Sequence, residues 1–189
     1  MIRMLTTTGL CLAAAQPLSA ATFTAAPHAQ HMIDLDTAPG HFSVWNANDL
    51  SGLNAVRAHF RVSAVARDNK WGPIFRFQLK RGDELVQVSL MGFPGKKPLL
   101  IQLDHSKGGV TQPPEAFATF MQVEERADLE IDWTADGQVT FTLKSPQSLQ
   151  VSPQGERHTA KLSGTPTGFS IVGSTGEIEV QSLALGTSG

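Results

Sequence analysis

The amino-acid sequence predicts an all-β protein, a two-sheet antiparallel β-sandwich with only minor helix. In residues 74–80, Phe75, Phe77 and Leu79 alternate with polar residues, and residues 128–133 alternate in the same way. Successive side chains of a strand point to opposite faces, so this period predicts sheets with one buried side and one side in water. Turn residues separate the alternating segments at short intervals, and no long segment repeats apolar residues at helical spacing.

The predicted strands follow one another along most of the chain. Each one combines alternation with Gly, Pro, Asp or Asn at its ends, and Arg81-Gly82-Asp83 is typical of a hairpin turn. The predicted strands are 32–36, 42–45, 56–66, 74–80, 85–91, 99–103, 119–123, 127–133, 139–143, 159–162, 168–172 and 177–185. Residues 104–118 contain Gly108-Gly109 and Pro113-Pro114 and are predicted to form a long surface loop, whereas 145–157 are predicted to be only partly regular.

The first 21 residues have the layout of a secretory signal peptide. Arg3 gives a positive start, residues 4–18 are mostly small or apolar and uncharged, and Ser19-Ala20-Ala21 offers a cleavage site. Residues 22–30 are then predicted to be a linker or an irregular first strand, and residues 31–189 a single β-sandwich domain. This organisation predicts a periplasmic or secreted protein.

Composition excludes several classes of function for the mature chain. Cys11 is the one cysteine and leaves with the signal, so disulfides, cysteine nucleophiles and cysteine zinc sites are excluded. The formal net charge is −2 and no basic stripe exists, which argues against a nucleic-acid partner. No second long apolar segment is present, so no membrane span is predicted, and nothing in the sequence points to an oligomeric state.

The order of several segments resembles the concanavalin A-like lectin/glucanase superfamily, nearest to its laminin-G-like branch. The segments are Trp71-Gly72, Arg81-Gly82-Asp83, residues 129–133, residues 135–141 and residues 173–183. The resemblance covers roughly residues 30–186 and implies a jelly roll whose ligands lie on the concave outer face or in loops at one rim. Members of the superfamily include sugar-binding modules, glycosidases and polysaccharide lyases, and the resemblance alone does not choose among them.

The polar faces of the long strands supply the candidates for ligand binding. Amide and guanidinium groups on neighbouring strands would give directional hydrogen bonds to the hydroxyls and carboxylates of a polar or acidic saccharide. The candidates are His59, Arg61, Trp71, Arg76, Gln78, Gln87, Gln102 and Asp104. Trp71 follows a turn, where its ring would be exposed for stacking. The alternative interpretation is the ordinary water-facing side of a sandwich.

Two catalytic sites are alternatives to a binding surface. Asp128, Glu130 and Asp132 line one face of a strand, and retaining glycosidases use such paired carboxylates. Laminarinase-like members of the superfamily alternate Glu, Asp and Glu, so this chain has the shorter side chain at two of those positions. His59 could instead act as the base of a lyase. Lyases of the superfamily usually also use a tyrosine, and this chain has none. The acidic residues could equally form a solvated face neutralised by nearby cations.

No cofactor is predicted, with calcium as the one alternative. Asp34 with Asp36, or Asp104 beside Gly108-Gly109, would offer oxygen ligands, although neither has the spacing of an EF-hand loop. The function predicted first is an exported, non-catalytic module that binds a saccharide or cell-envelope glycan. A carbohydrate-active enzyme of the same fold, and a structural or interaction domain without a ligand, are the alternatives.

Overall fold

A computed structural model of the protein describes residues 22–65, 72–93 and 98–189. Within them lie eleven strands and one short helix. The elements are β1 (Phe23–Ala47), β2 (Ala55–Val65), β3 (Ile74–Arg81), β4 (Glu84–Met91), β5 (Pro98–Lys107), β6 (Val110–Thr111), β7 (Glu115–Gln122), β8 (Arg126–Trp133), β9 (Gln138–Lys144), α1 (Pro146–Val151), β10 (Glu156–Lys161) and β11 (Gly168–Ser188). The predicted signal peptide and Trp71 lie outside the described residues.

The strands form a continuous antiparallel sheet in the order β10-β9-β8-β2-β11-β3-β4-β5-β6, with β1 paired to β11 and β7 paired to β5. The long strand β11 connects the two halves of this sheet. Its residues 168–174 pair with β3, and its residues 176–186 pair with β2. Between these parts, Thr175 and Gly176 have positive φ angles of 59° and 152°. Such angles bend a strand, so β11 passes from one half to the other at this point.

The two halves face each other across one hydrophobic core. Phe60 of β2 and Phe77 of β3 meet there with ring centroids 4.9 Å apart. The alternating apolar residues of both halves point inward, as shown by the complete burial of Phe75, Phe141 and Leu129. The predicted all-β sandwich with minor helix is therefore confirmed, and so is the inward direction of Trp133, which is 3% exposed.

Glu156 links the outermost strands of the two halves. Its carboxylate on β10 accepts the backbone N–H groups of Ala118, at 2.5 Å, and Thr119, at 3.1 Å, both on β7. The hydroxyl of Thr119 donates to the same carboxylate at 2.7 Å. Burial raises the pKa of Glu156, but these bonds and one with His158 outweigh it, so the pKa lies below its ordinary value. One side of the sandwich is closed by this carboxylate.

The helix α1 lies in the segment predicted to be only partly regular. Ser145 and Ser148 form a capping box at its start, each side chain accepting the backbone N–H of the other residue. Pro146 occupies the first turn, where its missing N–H costs nothing. No helix in the described ranges is long and apolar enough to cross a membrane.

The prediction of a long surface loop over residues 104–118 is wrong. β5 continues to Lys107 and turns back into β6, which pairs with residues 106 and 107. Gly108 and Gly109 have φ angles of 59° and 78°, the combination that a two-residue hairpin turn requires. At the other end of the chain, β1 begins at Phe23 and shifts its register between Ala25 and Gln30.

Candidate functional site

Polar side chains lie in two cross-strand rows on the outward side of β3, β4 and β5. In one row, Gln78 is paired with Gln87 and Gln87 with Asp104. In the next row, Arg76 is paired with Ser89 and Ser89 with Gln102. Directly paired residues of antiparallel strands share a face and have neighbouring Cβ atoms. The strand register therefore brings these six side chains onto one surface, which we call the groove face.

The groove face carries a continuous chain of hydrogen bonds. The hydroxyl of Ser170 on β11 donates to Gln78 Oε1 at 3.0 Å, and Gln78 Nε2 donates to Gln87 Oε1 at 2.6 Å. Gln87 Nε2 then donates to Asp104 Oδ2 at 3.0 Å and to the Ser89 hydroxyl at 3.3 Å. These hydrogen bonds all run in the same direction, from Ser170 toward the carboxylate of Asp104.

Asp104 is the common acceptor of this network. Its Oδ2 accepts the Ser89 hydroxyl at 2.5 Å as well as the Gln87 amide, and its Oδ1 accepts Gln102 Nε2 at 2.6 Å. No cation forms an ion pair with Asp104 among the residues that the structure describes. Its described partners are therefore three neutral donors, the Ser89 hydroxyl and the side-chain amides of Gln87 and Gln102.

Four of the six side chains of the groove face are buried, although they lie on the outward side of the sheet. Gln78 is 8% exposed, Gln87 9%, Ser89 1% and Asp104 9%. They line a cavity of about 310 Å³, a volume at the lower end of the range for ligand pockets. Arg76, Gln78, Leu85, Gln87, Ser89, Met91, Gln102, Asp104, Ser106 and Thr111 line this cavity. The face is therefore a groove with a polar floor.

Arg76 is the unsatisfied group of the groove. Its side chain is half-buried, and its Nε is buried without a hydrogen-bond partner within the described ranges. A buried unpaired donor costs free energy, about 1–3 kcal/mol for a typical group. Arg76 thus lines the cavity with a buried Nε that donates to none of the described residues.

An apolar row borders the groove on the side of Arg76. The cross-strand pairs run through Phe42, Ser174, Ile74, Met91, Leu100 and Phe120. Phe42 is 66% exposed, Leu100 49% and Phe120 42%, while Met91 also lines the cavity. Polar groups for hydrogen bonding and exposed rings for stacking therefore lie side by side on one surface.

His59 and Arg61 lie in the other half of the sheet. Both project from the outward side of β2, which β11 separates from β3. His59 Nδ1 is 2.6 Å from Asp128 Oδ1. The guanidinium of Arg61 binds Glu179 through Nε at 2.8 Å and Nη2 at 2.7 Å, and its Nη1 donates to Glu124 at 3.1 Å. Neither side chain faces the groove that Arg76 occupies.

The acidic residues of β8 each have a basic side chain as partner on this same surface. Asp128 contacts His59, Glu130 binds Lys144 and Asp132 binds Arg57 at 2.7 Å. We call the outward side of β2, β8 and β9 the paired face. The ion pairs match the interpretation of a solvated surface whose charges neutralise one another.

The structure thus brings together part of the predicted ligand-binding set and separates the rest. Arg76, Gln78, Gln87, Gln102 and Asp104 share the groove, whereas His59 and Arg61 lie on the paired face. Among the residues that the prediction did not include, Ser89 has the same alternation as Gln87 and was identifiable from it. Ser106 and Thr111 were not identifiable, because they lie in the segment predicted to be a loop.

No group of three or more His, Cys, Asp or Glu residues that could hold a metal ion occurs among the described residues. Asp34 and Asp36 both point outward from β1 at exposed positions. Asp104 uses both of its oxygens in hydrogen bonds to Gln87, Ser89 and Gln102. The calcium alternative therefore gains no ligand set from the part of the chain that is described.

Comparison with known proteins identifies the fold. No protein-family model and no curated protein matches the chain. A galectin of Caenorhabditis elegans superposes with a TM-score of 0.50 at 12% identity, over 80% of this chain and 94% of the galectin. The CBM2 module of the evolved Dit of Lactobacillus casei BL23 phage J-1 gives a TM-score of 0.52 at 16% identity, over 87% and 78%.

A GH43 protein of Bacillus licheniformis gives a TM-score of 0.51 at 10% identity, over 82% of this chain and 32% of that protein. These likenesses establish architecture, since identities this low carry no residue roles. The jelly-roll fold that the predicted resemblance implies is therefore confirmed.

Proposed function

We propose that this protein is an exported, non-catalytic saccharide-binding module whose binding surface is the groove face. The observation that carries the proposal is the guanidinium of Arg76, whose buried Nε has no partner among the described residues, beside a hydrogen-bonded polar floor. Strand positions hold the floor residues, and each of them is fixed by a neighbour. A binding site built in this way loses little conformational entropy when a ligand arrives.

The chemistry of the groove suits a sugar. Saccharides present many hydroxyl groups at fixed angles, and planar amide and guanidinium groups bind them with directional hydrogen bonds. The exposed rings of Phe42 and Phe120 and the side chain of Met91 offer apolar contacts for the C–H faces of further sugar units. A ligand longer than one sugar would lie across both rows.

The fold is compatible with this role. Structures that share it include a galectin, a CBM2 module and a GH43 protein, so a carbohydrate-related function fits the architecture. The acidic residues of β8 are absent from the proposal because Glu130 and Asp132 form ion pairs with Lys144 and Arg57, and Asp128 is engaged by the ring of His59. Residues 1–21 support export, which would expose the groove to cell-envelope or extracellular glycans.

The test is glycan binding by the purified protein on an array, followed by calorimetry on the best ligand. Arg76→Ala is expected to weaken binding by about tenfold or more, because a charge-assisted bond made inside a groove is lost. The matched control is Arg61→Ala, which removes the same side chain from the paired face and should leave binding unchanged. Equal binding by Arg76→Ala and the wild type would contradict the proposed site.

The same glycans provide a test of the non-catalytic assignment. Incubation with the protein should release neither reducing ends nor unsaturated uronates. Release that disappears in Glu130→Ala, or in His59→Ala, would replace the proposal with a glycosidase or a lyase. Export is checked separately by cell fractionation and by sequencing the mature N-terminus, which is expected to be Thr22.

A further inference from the structure

We infer that the saccharide bound in the groove carries a carboxylate, and that Arg76 binds it. This inference rests on the proposed function and identifies the class of ligand for the same site. It comes from the hydrogen-bonding capacity that remains on the groove face after the internal bonds are formed.

The internal network consumes acceptors and leaves donors free. Gln87 Oε1 and Gln78 Oε1 each already accept a hydrogen bond, and both oxygens of Asp104 are engaged. On the donor side, Gln78 and Gln102 each use their amide nitrogen for a single bond within the described residues. An amide nitrogen carries a second N–H, and Arg76 adds its whole guanidinium fork.

A carboxylate matches this imbalance better than a neutral sugar does. An ionised carboxylate accepts hydrogen bonds at both oxygens and donates none. A sugar hydroxyl brings a donor with every acceptor, whereas the guanidinium of Arg76 has donors only and needs acceptors only. The planar fork of arginine also fits the two oxygens of a carboxylate with two parallel bonds.

The charges on the groove face favour an anion as well. Arg76 and Lys80 project from the same side of β3, about 13 Å apart at about 3.3 Å per residue. Lys80 is exposed and forms no ion pair or hydrogen bond through its side chain in the part of the chain that the structure describes. Asp104 is the acid on this side of the three strands, and its charge is directed into Gln87, Ser89 and Gln102. The outward side of β3, β4 and β5, which includes Lys80 beside the groove, therefore carries two cations and one acid on a chain whose formal net charge is −2.

The experiment compares acidic oligosaccharides with their carboxyl-reduced forms, which differ only in the replacement of each carboxylate by a hydroxymethyl group. Oligosaccharides from alginate, polygalacturonate, hyaluronate and glucuronoxylan serve as probes, each measured by calorimetry in both forms. Wild-type protein should bind at least one acidic probe about tenfold tighter than its reduced form. Raising the salt from about 50 to about 500 mM should weaken the acidic probe and leave the reduced one unchanged.

Two variants locate the effect at Arg76. Arg76→Gln should bind the acidic and reduced forms equally, because the charge is lost. Arg76→Lys should keep part of the preference, since it retains the charge and loses the fork. Circular dichroism of each variant checks that it is folded, and the wild-type comparison of the two forms needs no variant.

Each failure has a separate meaning. Equal wild-type affinity for acidic and reduced forms overturns the inference and leaves the proposed saccharide-binding function intact. Tighter binding of sulfated than of carboxylated oligosaccharides also overturns it, because a sulfate ester would then be the preferred anion. Binding of neither form, together with an empty glycan array, overturns the proposed function itself.

Discussion

The groove face and the paired face are outward surfaces of the same curled sheet, but they differ in whether their arginines are paired with carboxylates. On the paired face, Arg57 and Arg61 each reach a carboxylate, and Arg61 binds one through two nitrogens. On the groove face, Arg76 reaches none among the described residues, although the carboxylate of Asp104 lines the same cavity. A surface whose polar groups are mutually satisfied offers a ligand little. A surface that holds a cation and a carboxylate apart keeps the cation available.

The two faces also differ in how much their polar contacts contribute to the stability of the fold. Exposed ion pairs contribute little, typically about 0–1 kcal/mol, so the paired face stabilises the fold only weakly. A buried network differs, because removal of its central acceptor leaves several donors unpaired at once. The two faces should therefore respond very differently to matched substitutions.

The largest expected difference is between two outward-facing aspartates. Asp104→Ala should lower the free energy of unfolding by about 3 kcal/mol, because Gln87, Ser89 and Gln102 lose their acceptor. Asp128→Ala should lower it by about 0.5 kcal/mol or less, since its side chain is 54% exposed and its one hydrogen bond among the described residues is with His59. Urea denaturation of both variants measures the two values. Equal losses of unfolding free energy would mean that the groove network contributes no more to stability than the exposed contact of Asp128 does.

The next comparison exchanges an arginine on each face for a methionine of similar shape. Arg76→Met should leave stability unchanged or raise it by up to about 1 kcal/mol, because a buried donor without a partner is removed. Arg61→Met should lower it, because bonds to Glu179 and Glu124 are lost. Thermal and urea unfolding measure both. Destabilisation by Arg76→Met as large as that by Arg61→Met would show that Arg76 serves the fold rather than a ligand.

The alternation within β3, β4 and β5 was sufficient to find most of the polar side chains of the groove, although not Ser106 and Thr111. Arg76 and Gln78 alternate with buried phenylalanine and leucine, and Gln87 and Gln102 do the same on their own strands. The same alternation also identifies His59 and Arg61 as outward residues of β2. Alternation shows which residues of a strand point outward, but it does not show which strands are neighbours in the sheet. β11 lies between β2 and β3, and its long pairing with both is what separates the two sets.

The burial of the groove face could not be predicted from the sequence. An outward polar residue is expected to be solvated, yet Ser89 is 1% exposed. Curvature of the sheet and the β5–β6 hairpin enclose this side, and both are products of tertiary structure. The hairpin itself has a local signal in Gly108-Gly109, but the flanking Pro113-Pro114 favours a loop equally.

The smallest expected effect is in the acid response of the paired face. A side-chain hydrogen bond from Arg61 holds the pKa of Glu179 below its ordinary value of 4.5. A carboxyl whose pKa is lower in the folded state stabilises the protein above its ordinary pKa, and this contribution is lost as the pH falls through the folded value. Stability of the wild type should therefore decline below about pH 4.5 more steeply than that of Glu179→Gln.

The control for this last prediction is the partner arginine. In an Arg61→Met background, Glu179→Gln should change the slope of stability against pH very little, because the bond that lowers the pKa is already absent. Urea denaturation at several pH values between about 3 and 6 measures the slopes of all four proteins. An undiminished effect of Glu179→Gln without Arg61 would show that other groups, Arg126 among them, hold that carboxylate ionised. The ion pair between Arg61 and Glu179 would then matter less to the paired face than its short contacts indicate.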